Sequence, residues 1–182
     1  MSPAKMSLIF IPGALMMVSG STISGKLSDK YGWKRLSILG LCFNIFGLSM
    51  LAFVTMNTSY WYVLFAIFTQ SIGHTLFGPP NDSSILGETP NEKQASVASL
   101  INLTRNAANV VGIGVATAVV VAVMSYNGQQ SEMRSVVESG NINIQQAFVA
   151  GVQSTYFIAS GLGIIAMAFT IFKASNSNTH TN

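Results

Sequence analysis

Asn102, Arg105, Asn106 and Asn109 stand at i, i+3, i+4 and i+7, a spacing that places all four side chains on one face of an α-helix. Ser99 falls on the same stripe one turn earlier, and Arg105 is the only charged residue in the otherwise apolar run 95–125. A charge inside a membrane span is expensive unless it faces protein or water, which makes Arg105 a functional candidate by default. The stripe has two chemical uses. It can line a solute cavity or gate, or its carboxamides can join helices by hydrogen bonds. Gln70 and His74 form a second pair, at i and i+4 in the run 60–77, with Ser71 and Gly73 beside them. A histidine there can relay protons or simply donate an interhelical hydrogen bond. Asp82 lies near the inner membrane boundary if the helix continues past Pro80, and is an ordinary loop acid otherwise.

No nucleophile elbow, phosphate-binding loop or zincin pattern occurs, so no enzyme is expected. His74 and His180 are too far apart in sequence for a metal-ligand spacing, and no cofactor is expected. The single cysteine, Cys42, excludes an internal disulfide and is expected to be a small buried hydrophobe in its apolar run. Gly112 and Gly114 are expected to allow close helix packing.

These residues must be positioned by membrane helices. The chain has 182 residues, 49% of them hydrophobic and only 8% charged, whereas a soluble domain carries about 25% charged residues. Basic residues do not cluster on an aromatic face, which argues against nucleic acid as a partner. Five segments are long and apolar enough to cross a bilayer: 6–24, 36–56, 60–86 with a kink at Pro79 and Pro80, 95–125 and 148–172. The first lacks a clear small-x-small cleavage site and reads as a retained span, not a signal peptide. Gly87-Glu88-Thr89-Pro90-Asn91 ends the third. Residues 126–146 form a polar external loop, and 174–182 a disordered cytoplasmic tail. Trp33, Tyr60, Trp61 and Tyr62 fall at span ends, where aromatic belts are expected.

The turn Gly25-Lys26-Leu27-Ser28-Asp29-Lys30-Tyr31-Gly32-Trp33-Lys34-Arg35 joins the first two spans. Glycines at its two ends permit a tight reversal, Asp29 can pair with a helix N-terminus, and Lys34 and Arg35 reach lipid headgroups. If this turn is cytoplasmic, alternation puts Lys26, Lys30, Lys34, Arg35, Lys93 and Lys173 inside and only Lys5 and Arg134 outside. The N-terminus is then external and the C-terminus cytoplasmic.

With its Gly-x3-Asp-x2-Gly spacing followed by two basic residues, the turn resembles the signature loop of the major facilitator superfamily. Other pieces follow in order. Ile11-Pro12-Gly13-Ala14-Leu15 resembles the start of the span before that loop, and Phe77-Gly78-Pro79-Pro80 the proline-kinked span two helices on. Glu92-Lys93-Gln94-Ala95-Ser96-Val97-Ala98-Ser99, with Asn102 and Arg105, is similar to the start of the penultimate helix of the fourteen-helix drug–proton antiporter branch. The stretch from Ala147-Phe148 to Phe157 is similar to its last helix.

The resemblance implies an all-α integral membrane fold, the last five helices of a transporter's C-terminal half, in the cell membrane. It also implies proton-coupled efflux of drugs or other small amphipathic compounds by alternating access. The partners implied are small-molecule substrate, protons, the bilayer and the N-terminal half of the transporter. Gln70, His74, Asn102, Arg105, Asn106 and Asn109 would line the substrate or proton pathway. Gly25, Asp29, Gly32, Lys34 and Arg35 would form the signature loop. Two alternatives stay open: a truncated, partner-dependent membrane protein without transport of its own, and a small channel-like oligomer.

Overall fold

The computed structural model describes residues 20, 22–28, 30–128 and 141–176. Most of the expected first span, Asp29, most of the external loop and all of the tail beyond 176 lie outside these residues. Among the described residues the chain is helical and contains no strand. Four long helices carry the fold: α1 (Trp33–Ala52), α2 (Tyr60–Gly87), α3 (Gln94–Tyr126) and α4 (Ile142–Asn176). Three segments, Trp33–Ala52, Asn91–Tyr126 and Ile142–Phe172, are long and apolar enough to cross a membrane. α2 is long enough, but Gln70, His74, Asn81 and Asp82 lower its hydropathy. The chain is an all-α, multi-pass membrane protein.

The charged turn is more helical than its composition suggests. Residues 22–28 and 30–31 are helical, and the chain breaks only at Gly32. Gly32 takes φ 83° and ψ 141°, a region open almost only to glycine. Its N–H donates to Ser28 O at 2.8 Å, an i to i−4 bond that closes the preceding helix. Gly25 has no positive φ, and a Cβ there would meet nothing within 4 Å. One glycine, not two, makes the reversal.

α1 stops at Ala52, short of the end of the apolar run at Met56. The Thr55 N–H donates to Thr58 Oγ1 at 2.7 Å and folds the chain back, and the Tyr62 hydroxyl donates to Met50 O at 3.0 Å. That last bond gives Met50 O a second donor beside the Phe53 N–H, which reaches it at 3.2 Å. α2 passes through Pro79 and Pro80 and ends at Gly87. Each proline removes an N–H from the helix ladder, a loss that membrane helices absorb through their neighbours, and Pro80 is buried. The hydroxyls of Thr69, Ser71 and Thr75 donate to carbonyls four residues earlier, which leaves no bare hydroxyl on that stretch of α2.

The helices follow one another around the bundle in the order α2, α1, α4, α3, each antiparallel to the next, with α3 touching α2 again only sparsely. α1 and α2 meet through glycines. A Cβ on Gly40 would lie 2.7 Å from Phe77 N, one on Gly47 2.9 Å from Gln70 N, and one on Gly73 would overlap Asn44 N. α4 meets α1 through a Gln153 Nε2 bond to Val54 O at 2.8 Å and the edge-to-face pair Phe53–Phe157. It meets α3 where Val120 and Met124 pack on Ala147, with Gly151 against the Val120 backbone. Gly112 and Gly114 do not pack closely as expected, since a Cβ added to either would meet nothing within 4 Å; the close approach of α3 to α4 comes later, near Val120. Cys42 is also placed differently from the expectation. It is exposed on the helix surface with its thiol 3.7 Å from Met167 Sδ, because the apolar run of α1 faces both neighbours and lipid.

Candidate functional site

Two charges that lie within the described long helices, Asp82 on α2 and Arg105 on α3, find each other. Arg105 Nη2 lies 2.7 Å from Asp82 Oδ2, with the side chains 45% and 29% exposed respectively. Asp82 stands five residues before the end of α2 and Arg105 eleven after the start of α3. At a rise of about 1.5 Å per residue, these positions are roughly 7 and 16 Å from the helix ends. α2 had to continue through its prolines for the pair to form; a helix ended at Pro79 would have left Asp82 in a loop. α2 and α3 otherwise touch sparsely, so this ion pair is the main polar link between them.

The rest of the stripe shares Arg105's side of α3. From Asn109, steps of four, three and four lead through Ile113 and Ala116 to Val120, which is buried with Met124 against α4. The face carrying the carboxamides therefore turns toward the rest of the bundle, at one end against α4 and at the other toward Asp82. Between these anchors α3 stands away from its neighbours, and every residue from Asn102 to Val115 is exposed. Asn102, Asn106 and Asn109 make no hydrogen bond among the described residues, and Ser99 donates only to its own helix, at Ala95 O, 2.9 Å. The arrangement is an exposed polar stripe along α3, with a neutralised ion pair in its midst.

Gln70 and His74 are not joined to this stripe by any described hydrogen bond. Gln70 is half-buried with its backbone against Gly47, whereas His74 is exposed. Of the signature-loop residues, Gly32 makes the break, Lys34 Nζ lies 5.9 Å from the centre of the Trp33 ring and Arg35 is exposed. Two cavities lie between α3 and α4. One of about 300 Å³ is lined by Ala116, Val120, Phe148 and Tyr156, and one of about 350 Å³ by Val111, Gly112, Ile158 and Leu162. Neither takes in the stripe. No group of three or more His, Cys, Asp or Glu that could hold a metal is found among the described residues.

Two features were missed from the sequence. The Asp82–Arg105 pairing had a signal, since these were opposite charges inside adjacent spans, but their unequal distances from the connecting loop concealed the register. Gly40, Gly47 and Gly73 carried a weaker signal in the seven-residue spacing of the first two.

The whole chain, residues 1–182, matches the family model described as Major Facilitator Superfamily. The chain is 24% identical to the riboflavin transporter RibZ of Clostridioides difficile (strain 630), over 94% of this chain and 35% of that protein. It is 26% identical to the lincomycin resistance protein LmrB of Bacillus subtilis (strain 168), over 91% and 34%. It is 25% identical to the uncharacterized MFS-type transporter YcnB of the same organism, over 91% and 33%. The chain thus spans about a third of the length of the curated relatives it matches. No solved structure gives a significant match.

Proposed function

The chain belongs to the major facilitator superfamily, and from that premise we propose that it forms part of a proton-coupled exporter of small amphipathic compounds. In this reading Asn102, Arg105, Asn106 and Asn109 supply one wall of the solute path. The observation that carries it is the direction of the stripe: the face bearing the three carboxamides turns toward the bundle and ends on a paired charge. A purely lipid-facing helix has no use for four such groups, since hydrocarbon offers them no partner. The similarity to LmrB supports a drug-like substrate and that to RibZ a polar one. Gln70 and His74, one helix away, would serve the proton side of the exchange.

Alternating access requires a second bundle to rock against this one, and the two-thirds of the relatives' length outside the matched region would supply it. The signature loop would then steady one conformational state through Asp29. Lys26, Lys30, Lys34, Arg35, Lys93 and Lys173 all lie at the end of the bundle that holds Gly32 and the α2–α3 connection, which supports placing that end in the cytoplasm of a cell membrane.

The test is transport by the complete protein. Replacing Arg105 by Ala should change substrate affinity or turnover while membrane insertion is kept. Unchanged kinetics would reduce Arg105 to packing. The bare polar face of α3 also favours a second reading, a partner-dependent protein without transport of its own. Expressing the 182-residue chain alone separates the two: drug export without any other subunit would exclude that reading.

A further inference from the structure

We propose that the polar face of α3 selects uncharged, acceptor-rich solutes over cations, an inference that rests on reading the stripe as a path wall. A cation-selective wall needs a carboxylate free to face the solute. Among the described residues, the one carboxylate within a span is Asp82, and Arg105 already holds it at 2.7 Å. The remaining charges sit outside the spans or at their ends: Lys26 and Lys30 in the helical segment before Gly32, Lys34 and Arg35 at the start of α1, Glu88, Glu92 and Lys93 between α2 and α3, and Lys173 late in α4.

The groups on this face are donors in excess. Arg105 carries five N–H donors on its guanidinium, and one described bond, to Asp82, engages it. Asn102, Asn106 and Asn109 each add an amide N–H₂ and one carbonyl, none committed within the described residues. Such a surface matches solutes that present carbonyl, hydroxyl or ring-nitrogen acceptors without a formal charge. Asn102, Asn106 and Asn109 are then specificity-determining residues, and the ion pair keeps the wall neutral.

Thiol chemistry reads the local charge directly. Cys42 is the single cysteine, so a Cys42→Ala background carrying Asn106→Cys reports from this face alone. The complete protein in lipid vesicles, with any cysteine outside these 182 residues replaced, would be treated with methanethiosulfonates bearing a trimethylammonioethyl, a sulfonatoethyl or a hydroxyethyl group. Their rates would be normalised to those with a free thiol in solution. Neutrality predicts normalised rates agreeing to within about threefold across the three reagents. Arg105→Gln should then favour the cationic reagent by roughly tenfold, and Asp82→Asn the anionic one by a similar factor. A preference of tenfold or more for the cationic reagent with both charges intact would overturn the proposal. Absence of reaction with all three reagents would overturn the path-wall reading beneath it, a distinct result. The comparison with both charges intact stands even where an ion-pair variant fails to fold.

Discussion

Arg105 and Asp82 carry the most weight among single residues. Each would be costly alone in a span, by about 3 kcal/mol on insertion scales, and together they remove that cost at one contact. Because the two side chains are 45% and 29% exposed, breaking the pair should destabilise by less than a buried pair does, roughly 1–2 kcal/mol. Asp82→Asn is expected to lower the thermal midpoint of the detergent-solubilised protein, as is Arg105→Gln. The exchange Asp82→Arg with Arg105→Asp should recover most of the loss. A double variant no better than the sum of the singles would show that the pair contributes nothing as a pair. The stripe on α3 was legible in the sequence because helical periodicity is fixed by the backbone. Asp82's partner was not, because register between two helices depends on how the glycines of α1 and the prolines of α2 let them lie.

Among the elements, glycine decides both the turn and the closest helix contact. Gly32 stands at φ 83°, so Gly32→Ala should cost about 1–3 kcal/mol and loosen the junction between the charged helix and α1. Protease sensitivity of the 25–35 segment would report it. Gly25→Ala at the other end should be nearly silent, since no Cβ clash awaits it. Gly73→Val drives a branched side chain into the Asn44 backbone of α1, a clash expected to cost roughly 1–3 kcal/mol and to separate α1 from α2. Crosslinking between cysteines placed at Met50 and Tyr62, which the Tyr62 hydroxyl bond brings together, would measure that separation. The helical class followed from apolar run length alone. The end of α1 at Ala52 did not, because a hydroxyl turn between Thr55 and Thr58 overrides an apolar run that looks unbroken. Cys42 misled for a related reason: in a membrane protein an apolar setting includes the lipid-facing surface, so hydrophobicity no longer implies burial.

For the whole molecule, α2, α1, α4 and α3 follow one another around the bundle and α3 comes back to α2 only sparsely, which leaves α3 standing out along the stretch from Asn102 to Val115, in a chain about a third as long as its relatives. The basic residues gathered at one end of the bundle predict that reporters fused after Asn176 are active in the cytoplasm. Reporters placed at Thr55 should be active outside. The family followed from a turn whose pattern is specific, whereas the site followed from the cost of polar groups in hydrocarbon. The central claim is that the polar face of α3 lines a water-filled path. A cysteine scan of α3 in the Cys42→Ala background, probed with a membrane-impermeant thiol reagent, tests it most directly. Reaction is expected at the Ser99, Asn102, Asn106 and Asn109 positions, and protection at Leu100 and Ala107 across the helix. Uniform protection, or reaction that follows depth instead of helical face, would contradict it.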